Sequence, residues 1–194
     1  MSDKGKLFVV ATPIGNLQDF TFRAVETLKN VHCVFAEDTR TSKKLINHYD
    51  IDTKLYSYHD HSSDKEIARV LDILNDNKDV ALISDAGTPT ISDPGYSLIR
   101  KCISEGIDIV PIPGASALTT AVSASGLPSD AFTFIGFLPT KKGRQKQRKN
   151  NIKKEITKQE IKKEGMKEIR KERNKTNKTK TLRKLTKKKE IQTN

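Results

Sequence analysis
Along the first 140 residues, short apolar runs take turns with longer stretches whose apolar residues recur at helical spacing. Lys6-Leu-Phe-Val-Val-Ala11, Val31-His-Cys-Val-Phe-Ala36, Val80-Ala-Leu-Ile-Ser84 and Ile107-Asp-Ile-Val-Pro-Ile112 read as strands, with Lys54-Leu-Tyr-Ser-Tyr58 a short one between them. A run such as Leu7 to Ala11, apolar without alternation, is what a strand covered on both faces requires. Helices are expected over 19–29, with Phe22, Val25 and Leu28 inward, and over 39–49, where Thr39 or Thr41 can cap the first turn. Three more follow: 62–75 with Ile67, Val70, Leu71 and Leu74 on one side, 94–105 with Leu98, Ile99, Cys102 and Ile103, and the small-residue stretch 115–125 ending at Gly126. Strand and helix thus alternate five times with short connections. The fold class is α/β, a five-stranded, mostly parallel sheet flanked by helices. Phe132-Thr-Phe-Ile-Gly-Phe-Leu138 reads either as a sixth strand or as an exit into a second domain.

In a parallel sheet the strand-to-helix turns gather at the carboxyl edge, where open α/β sheets bind their ligands. Four such turns are rich in chemistry: Thr12-Pro-Ile-Gly-Asn16, Glu37-Asp-Thr-Arg40, Asp85 to Gly95, and Pro111-Ile-Pro-Gly-Ala-Ser-Ala117. The stretch Ser84-Asp-Ala-Gly-Thr-Pro-Thr-Ile-Ser-Asp-Pro-Gly95 packs two aspartates and two Gly/Pro pairs into twelve residues, more than a plain connection needs. Gly and Pro there fix the backbone and let a ligand approach main-chain groups closely. No G-x-G-x-x-G and no G-x-x-x-x-G-K-[ST] occurs, so neither the dinucleotide fingerprint nor a P-loop is present. His59-Asp-His61 lacks further Cys or His partners and is not expected to hold a metal.

Charge divides the chain sharply. Residues 141–194 hold 23 Lys and Arg against six Glu, a net of +17; subtracting these from the chain's 36 and 24 leaves 13 basic and 18 acidic residues in 1–140, a net of −5. All seven Phe, all four Tyr, all seven Pro and both Cys also lie in 1–140. The foldable part is therefore 1–140, and 141–194 is a basic low-complexity tail, helical or disordered, that buries no core. Within it, Glu160, Glu164, Glu168 and Glu172, each followed three residues on by a lysine, can support at most a solvated helix. Cys33 and Cys102 read as reduced core thiols. With no apolar run near 18 residues and no signal peptide, a cytoplasmic protein without a membrane span is expected.

Ser84 to Gly95, Glu37-Asp-Thr-Arg-Thr41, Val9-Val-Ala-Thr-Pro-Ile-Gly-Asn-Leu17, Tyr58-His-Asp-His61, Pro113-Gly-Ala-Ser-Ala117 and Ser125-Gly-Leu-Pro128 together resemble the ribosomal RNA small subunit methyltransferase I family, over residues 6 to about 144. That family is a branch of the tetrapyrrole-methylase-like enzymes. The resemblance implies S-adenosyl-L-methionine as methyl donor, 2′-O-methylation of a cytidine in 16S rRNA of the small ribosomal subunit, and a two-domain subunit that is usually a homodimer. It implies that Pro13, Gly15, Asp85, Ala86, Gly87, Thr88, Pro89, Gly114, Ala115, Ser116 and Ala117 line the donor pocket, and that Arg40, Lys43 and Lys44 face RNA. Asp85, Glu37 and Asp38 are the candidates for a base that takes the 2′-hydroxyl proton, a role water can also fill.

Beyond Gly143-Arg-Gln-Lys146 the resemblance stops. The family's second domain is expected to be absent, the tail to be frameshift-derived, and methyl transfer to be impaired. Two other classes stay open: a non-catalytic RNA-binding protein using the tail as an electrostatic arm, and a methyltransferase acting on a tetrapyrrole or corrinoid precursor.

Overall fold
The computed structural model describes residues 4–59 and 64–154, and the chain divides into two compact units, Met1–Gly136 and Phe137–Asn194. The first unit holds strands β1 (Leu7–Val10), β2 (Cys33–Ala36), β3 (Lys54–Ser57), β4 (Val80–Ile83) and β5 (Ile109–Ile112). They form one sheet in the order β3-β2-β4-β1-β5, with every neighbouring pair parallel.

The pleat sends alternate residues to opposite faces, and each face builds its own core. Val10, Val34, Ala36, Ala81 and Ile83 pack with α1 (Phe22–Asn30) and α2 (Thr39–His48). Leu7, Cys33, Phe35, Val80 and Leu82 pack with α3 (Asp64–Asn75) and α4 (Tyr96–Ser104). The apolar runs of β2 and β4 are accordingly buried at all four positions. Each fully buried leucine contributes about 1.5–3 kcal/mol to this arrangement. Cys33 and Cys102 are free and buried in the second core, and that burial pushes both thiols up to about 11.

Three sequence expectations are corrected. Phe22 does not point inward: it is 96% exposed, and the inward face of α1 is Ala24 and Leu28. Thr21 caps α1 by accepting from Ala24 N, and a 3₁₀ turn (Leu17–Asp19) before it carries Phe20 into the core in place of Phe22. The cap of α2 is Asp38, whose side chain accepts from Arg40 N, rather than Thr39 or Thr41. Residues 132–139 form no strand, and Phe132, Phe134 and Phe137 are exposed.

A fifth helix, α5 (Ala117–Ala124), follows β5 and buries no residue. In the second unit, residues 142–154 are helical. The Glu/Lys ladder expected over 160–175, like Asp60 and His61, lies outside the described residues. Among the described residues no helix is long and apolar enough to cross a membrane, and no group of His, Cys, Asp and Glu is placed to hold a metal.

Candidate functional site
The strand order decides where a ligand can enter. β4 lies between β2 and β1, yet the helix after β4 covers one face while those after β1 and β2 cover the other. Adjacent strands whose connections leave toward opposite faces open a crevice at their carboxyl ends. The loop after β4 therefore has such a switch point on each side.

Hydrogen bonds tie that loop to both neighbours. Thr12 N donates to Gly87 O at 2.8 Å and Gly87 N returns to Thr12 O at 3.0 Å, an antiparallel bridge between the loops after β1 and β4. Beneath it, the buried hydroxyl of Thr12 donates to Ser84 O at 3.0 Å, and that of Ser84 to Gly87 O at 3.2 Å. Both buried donors are thereby satisfied, which removes the cost of leaving them unpaired. On the other side Asp38 N donates to Asp85 Oδ1 at 3.0 Å, joining the loops after β2 and β4. Gly87 bends the chain at φ +84°, in the region that favours glycine, and a side chain there would point toward Ile14 and Ala115 O at 3.5 and 4.0 Å.

The loop after β5 closes the group by contact. A Cβ on Gly114 would stand 3.0 Å from that of Ala11, so the main chain crosses the end of β1 as closely as glycine allows. Ser116 caps α5 by position, without a side-chain cap hydrogen bond. Beyond Pro89 the loop turns on Thr90 and Ser92, both at positive φ (72° and 66°), and delivers Gly95 at φ +129° to the start of α4. A β-branched residue in that region is strained.

The four turns singled out from sequence are thus brought together, Pro13 buried and Gly15 exposed at φ +139° on one loop, Asp85 and Ala86 exposed beside buried Gly87 and Pro89 on the next. Thr88, Ala115 and Ser116 are half-buried, and Ala117 is exposed. Sequence reasoning missed Thr12 and Ser84 as the hydroxyls that join the loops; a small hydroxyl residue ending each apolar run was the available signal. Among the carboxylates, Glu37 and Asp38 are half-buried. Hydrogen bonds from the Arg40 backbone and then its guanidinium hold the Asp38 carboxyl below the usual carboxylate range. Arg40 pairs with Asp38 at 3.4 Å and is otherwise in solvent, while Lys43 and Lys44 are exposed further along α2. A cavity of about 960 Å³ lies against α1, between Phe20, Phe22, Val25 and Tyr49, and shares no wall with these four loops.

A sequence model of the tetrapyrrole (corrin/porphyrin) methylases matches residues 6–188, so the chain belongs to that family of methylases. A solved cobalt precorrin-4 methyltransferase shares the fold at a TM-score of 0.51 and 20% identity, over 62% of this chain and 50% of that one. Within the class, the chain belongs with the proteins named ribosomal RNA small subunit methyltransferase I. The one from Halalkalibacterium halodurans is 57% identical over 145 residues, 75% of this chain and 50% of the relative. That from Thermotoga maritima is 50% identical over 151 residues, covering 78% and 68%. The chain spans about half the length of most of the curated relatives it matches.

Proposed function
We propose that the carboxyl edge of the sheet binds S-adenosyl-L-methionine and that the protein directs its methyl group to the 2′-hydroxyl of a cytidine in small-subunit (16S) rRNA. The observation that carries this reading is the clamped loop after β4, held by Thr12 on one side and by Asp38 on the other, with Gly87 at φ +84°. The residues present suit such a donor. Gly15 has nothing within 4 Å of where a side chain would stand, and Gly87 has only the two contacts described, so main-chain groups are open to a ligand. The exposed Asp85 suits the positive charge of a sulfonium.

When bound, the donor supplies an already activated methyl group. The chain's task is then chiefly to hold a ribose hydroxyl in line behind it, and positioning of this kind accounts for much of such a rate. Of the three carboxylates, Asp38 is committed to capping α2 and is held ionised by Arg40, which makes it the weakest base. Asp85 is the better acceptor for the 2′-hydroxyl proton, since it is exposed at the crevice while one oxygen anchors it to Asp38 N.

Names of relatives at half identity favour an RNA substrate over a tetrapyrrole, because the solved corrin-related proteins match at only 16–20% and speak for the fold alone. A cytoplasmic location follows from an rRNA substrate. Homodimer formation is read from the resemblance and is checked by sedimentation of the full chain.

The test uses the full chain with labelled donor. Equilibrium dialysis is expected to show binding that Gly87→Val weakens by about ten-fold or more, as loss of a close main-chain approach should. Transfer to small subunits lacking the modification, followed by digestion, is expected to yield 2′-O-methylcytidine, at a rate well below that of a full-length relative. Asp85→Asn, whose side-chain oxygen can still accept from Asp38 N, should lower transfer by a larger factor than it weakens donor binding. Label on a base, or none on RNA while the donor binds, overturns the assignment of substrate.

A further inference from the structure
A second groove opens a short way from the donor edge, between α2 and the edge strand β3, with a volume of about 480 Å³. That is within the roughly 300–1,000 Å³ range of small-ligand pockets. Its floor is apolar, formed by Ile46 and Ile51, each 5% exposed, and half-buried Leu55. Its rim carries two cations, Arg40 and Lys43, on successive turns of α2. Asn47 and Asp52 complete the rim. The walls are held in place by Ile51 N donating to Ile46 O at 3.0 Å, and by Thr53 Oγ1 donating to Leu28 O at 2.6 Å.

Arg40 belongs to this groove and, through its 3.4 Å pair with Asp38, to the loop that Asp85 clamps. The groove is therefore the continuation of the donor edge along α2. An apolar floor takes the face of a nucleobase, paired cations at one rim take a phosphate, and amide and carboxylate groups read hydrogen-bond donors on a base edge.

We propose that this groove holds one unpaired nucleotide of the RNA, a neighbour of the methylated one, with its phosphate on Arg40 and Lys43 and an amino-bearing base over Ile46 and Ile51. This rests on the rRNA reading above and adds to it a separate nucleotide subsite on α2. Occupation of the groove fixes the register of the strand, so that the neighbouring ribose reaches the donor edge. An RNA bound by the basic tail alone has no such register, since charge runs track phosphates without reading bases.

The experiment is photocrosslinking of the full chain to short single-stranded RNAs carrying one 6-thioguanosine, which keeps an exocyclic amino group, with adducts mapped by peptide. It is run at raised salt to suppress non-specific phosphate binding. Adducts are expected on peptides spanning 43–55, moving with the position of the probe. Lys43→Glu should reduce them about ten-fold, since it removes one charge-assisted phosphate contact and adds a repelling carboxylate. Ile46→Ala, with folding checked by circular dichroism, should reduce them too. Adducts confined to 141–194 or to other surfaces overturn the groove while leaving the rRNA reading intact. Absence of donor binding and of methyl transfer in the assays above overturns that reading, and the groove with it. Groove adducts that Lys43→Glu leaves unchanged show that phosphate is not held there, and overturn the proposal.

Discussion

Two strand-loop-helix segments meet at the carboxyl edge of the sheet, and they are built differently. After β4, the loop is bonded to its neighbours on both sides, and α4 buries Leu98 and Cys102 completely. After β5, the loop meets β1 by the close approach of Gly114 to Ala11, and α5 buries no residue at all. Both segments share sequence features, a Gly/Pro loop followed by a helix, yet only the first carries large apolar residues at core-facing positions. One wall of the crevice is packed into the core, and the helix of the other buries no residue. Segments with few buried contacts are those that open most easily.

The contrast breaks most visibly in the helices. Leu98→Ala should cost about 2–5 kcal/mol, the usual range for emptying a buried leucine site. Leu118→Ala on α5 should stay below about 1 kcal/mol. Urea unfolding of both variants measures the difference, and equal losses would mean that α5 is part of the core.

Glycines give the next largest effect. At Gly95, φ +129° is joined by Leu82 Cδ2 only 2.7 Å from the position of a Cβ. Gly95→Ala should cost roughly 2–4 kcal/mol, from backbone strain and overpacking together. Gly126, at φ +67° with open space around it, offers strain alone. Gly126→Ala should cost about 1 kcal/mol.

Thr12→Val keeps the shape and removes the buried hydroxyl that donates to Ser84 O. A loss of about 1–2 kcal/mol is expected, with faster amide exchange at Gly87. The same change should leave exchange in α5 unaltered.

Least in size is the acid response of Asp38. Its folded pKa is depressed, so its contribution is present above the unfolded carboxylate range and is lost as pH falls through the lower, folded value. The α2 amino terminus should therefore fray under acid, an effect that Asp38→Ala removes. Amide exchange at Arg40 across an acid titration follows it, and a wild-type response in Asp38→Ala would contradict this.

The strands were legible because their faces are both covered: Val80 to Ile83 and Cys33 to Ala36 are unbroken apolar runs, and each is buried throughout. The phase of α1 was not. Phe22, Val25 and Leu28 fit a helical stripe, but so do Ala24 and Leu28 with Phe20 supplied from the preceding turn, and alanine is a weak signal beside phenylalanine. The α2 cap was obscured by three closely spaced candidates, Asp38, Thr39 and Thr41. What selects Asp38 includes its backbone bond to Asp85, 47 residues away, which no local pattern displays. The meeting of the four loops was readable from alternation of strand and helix alone. The Thr12–Gly87 bridge was not, because it depends on β4 inserting beside β1, and strand order is a property of the whole sheet.

The measurement that bears most directly on this account is amide hydrogen exchange on the full chain, with and without S-adenosyl-L-methionine. Without it, Thr12 and Gly87 should be protected and 115–124 should exchange quickly. With it, protection should rise chiefly over 113–124, as the adjustable wall settles on the ligand, and change little at Thr12 and Gly87. Uniform protection of both walls without donor, or donor binding that slows exchange at neither, would contradict the claim that this edge is the donor site with one fixed wall and one adjustable wall.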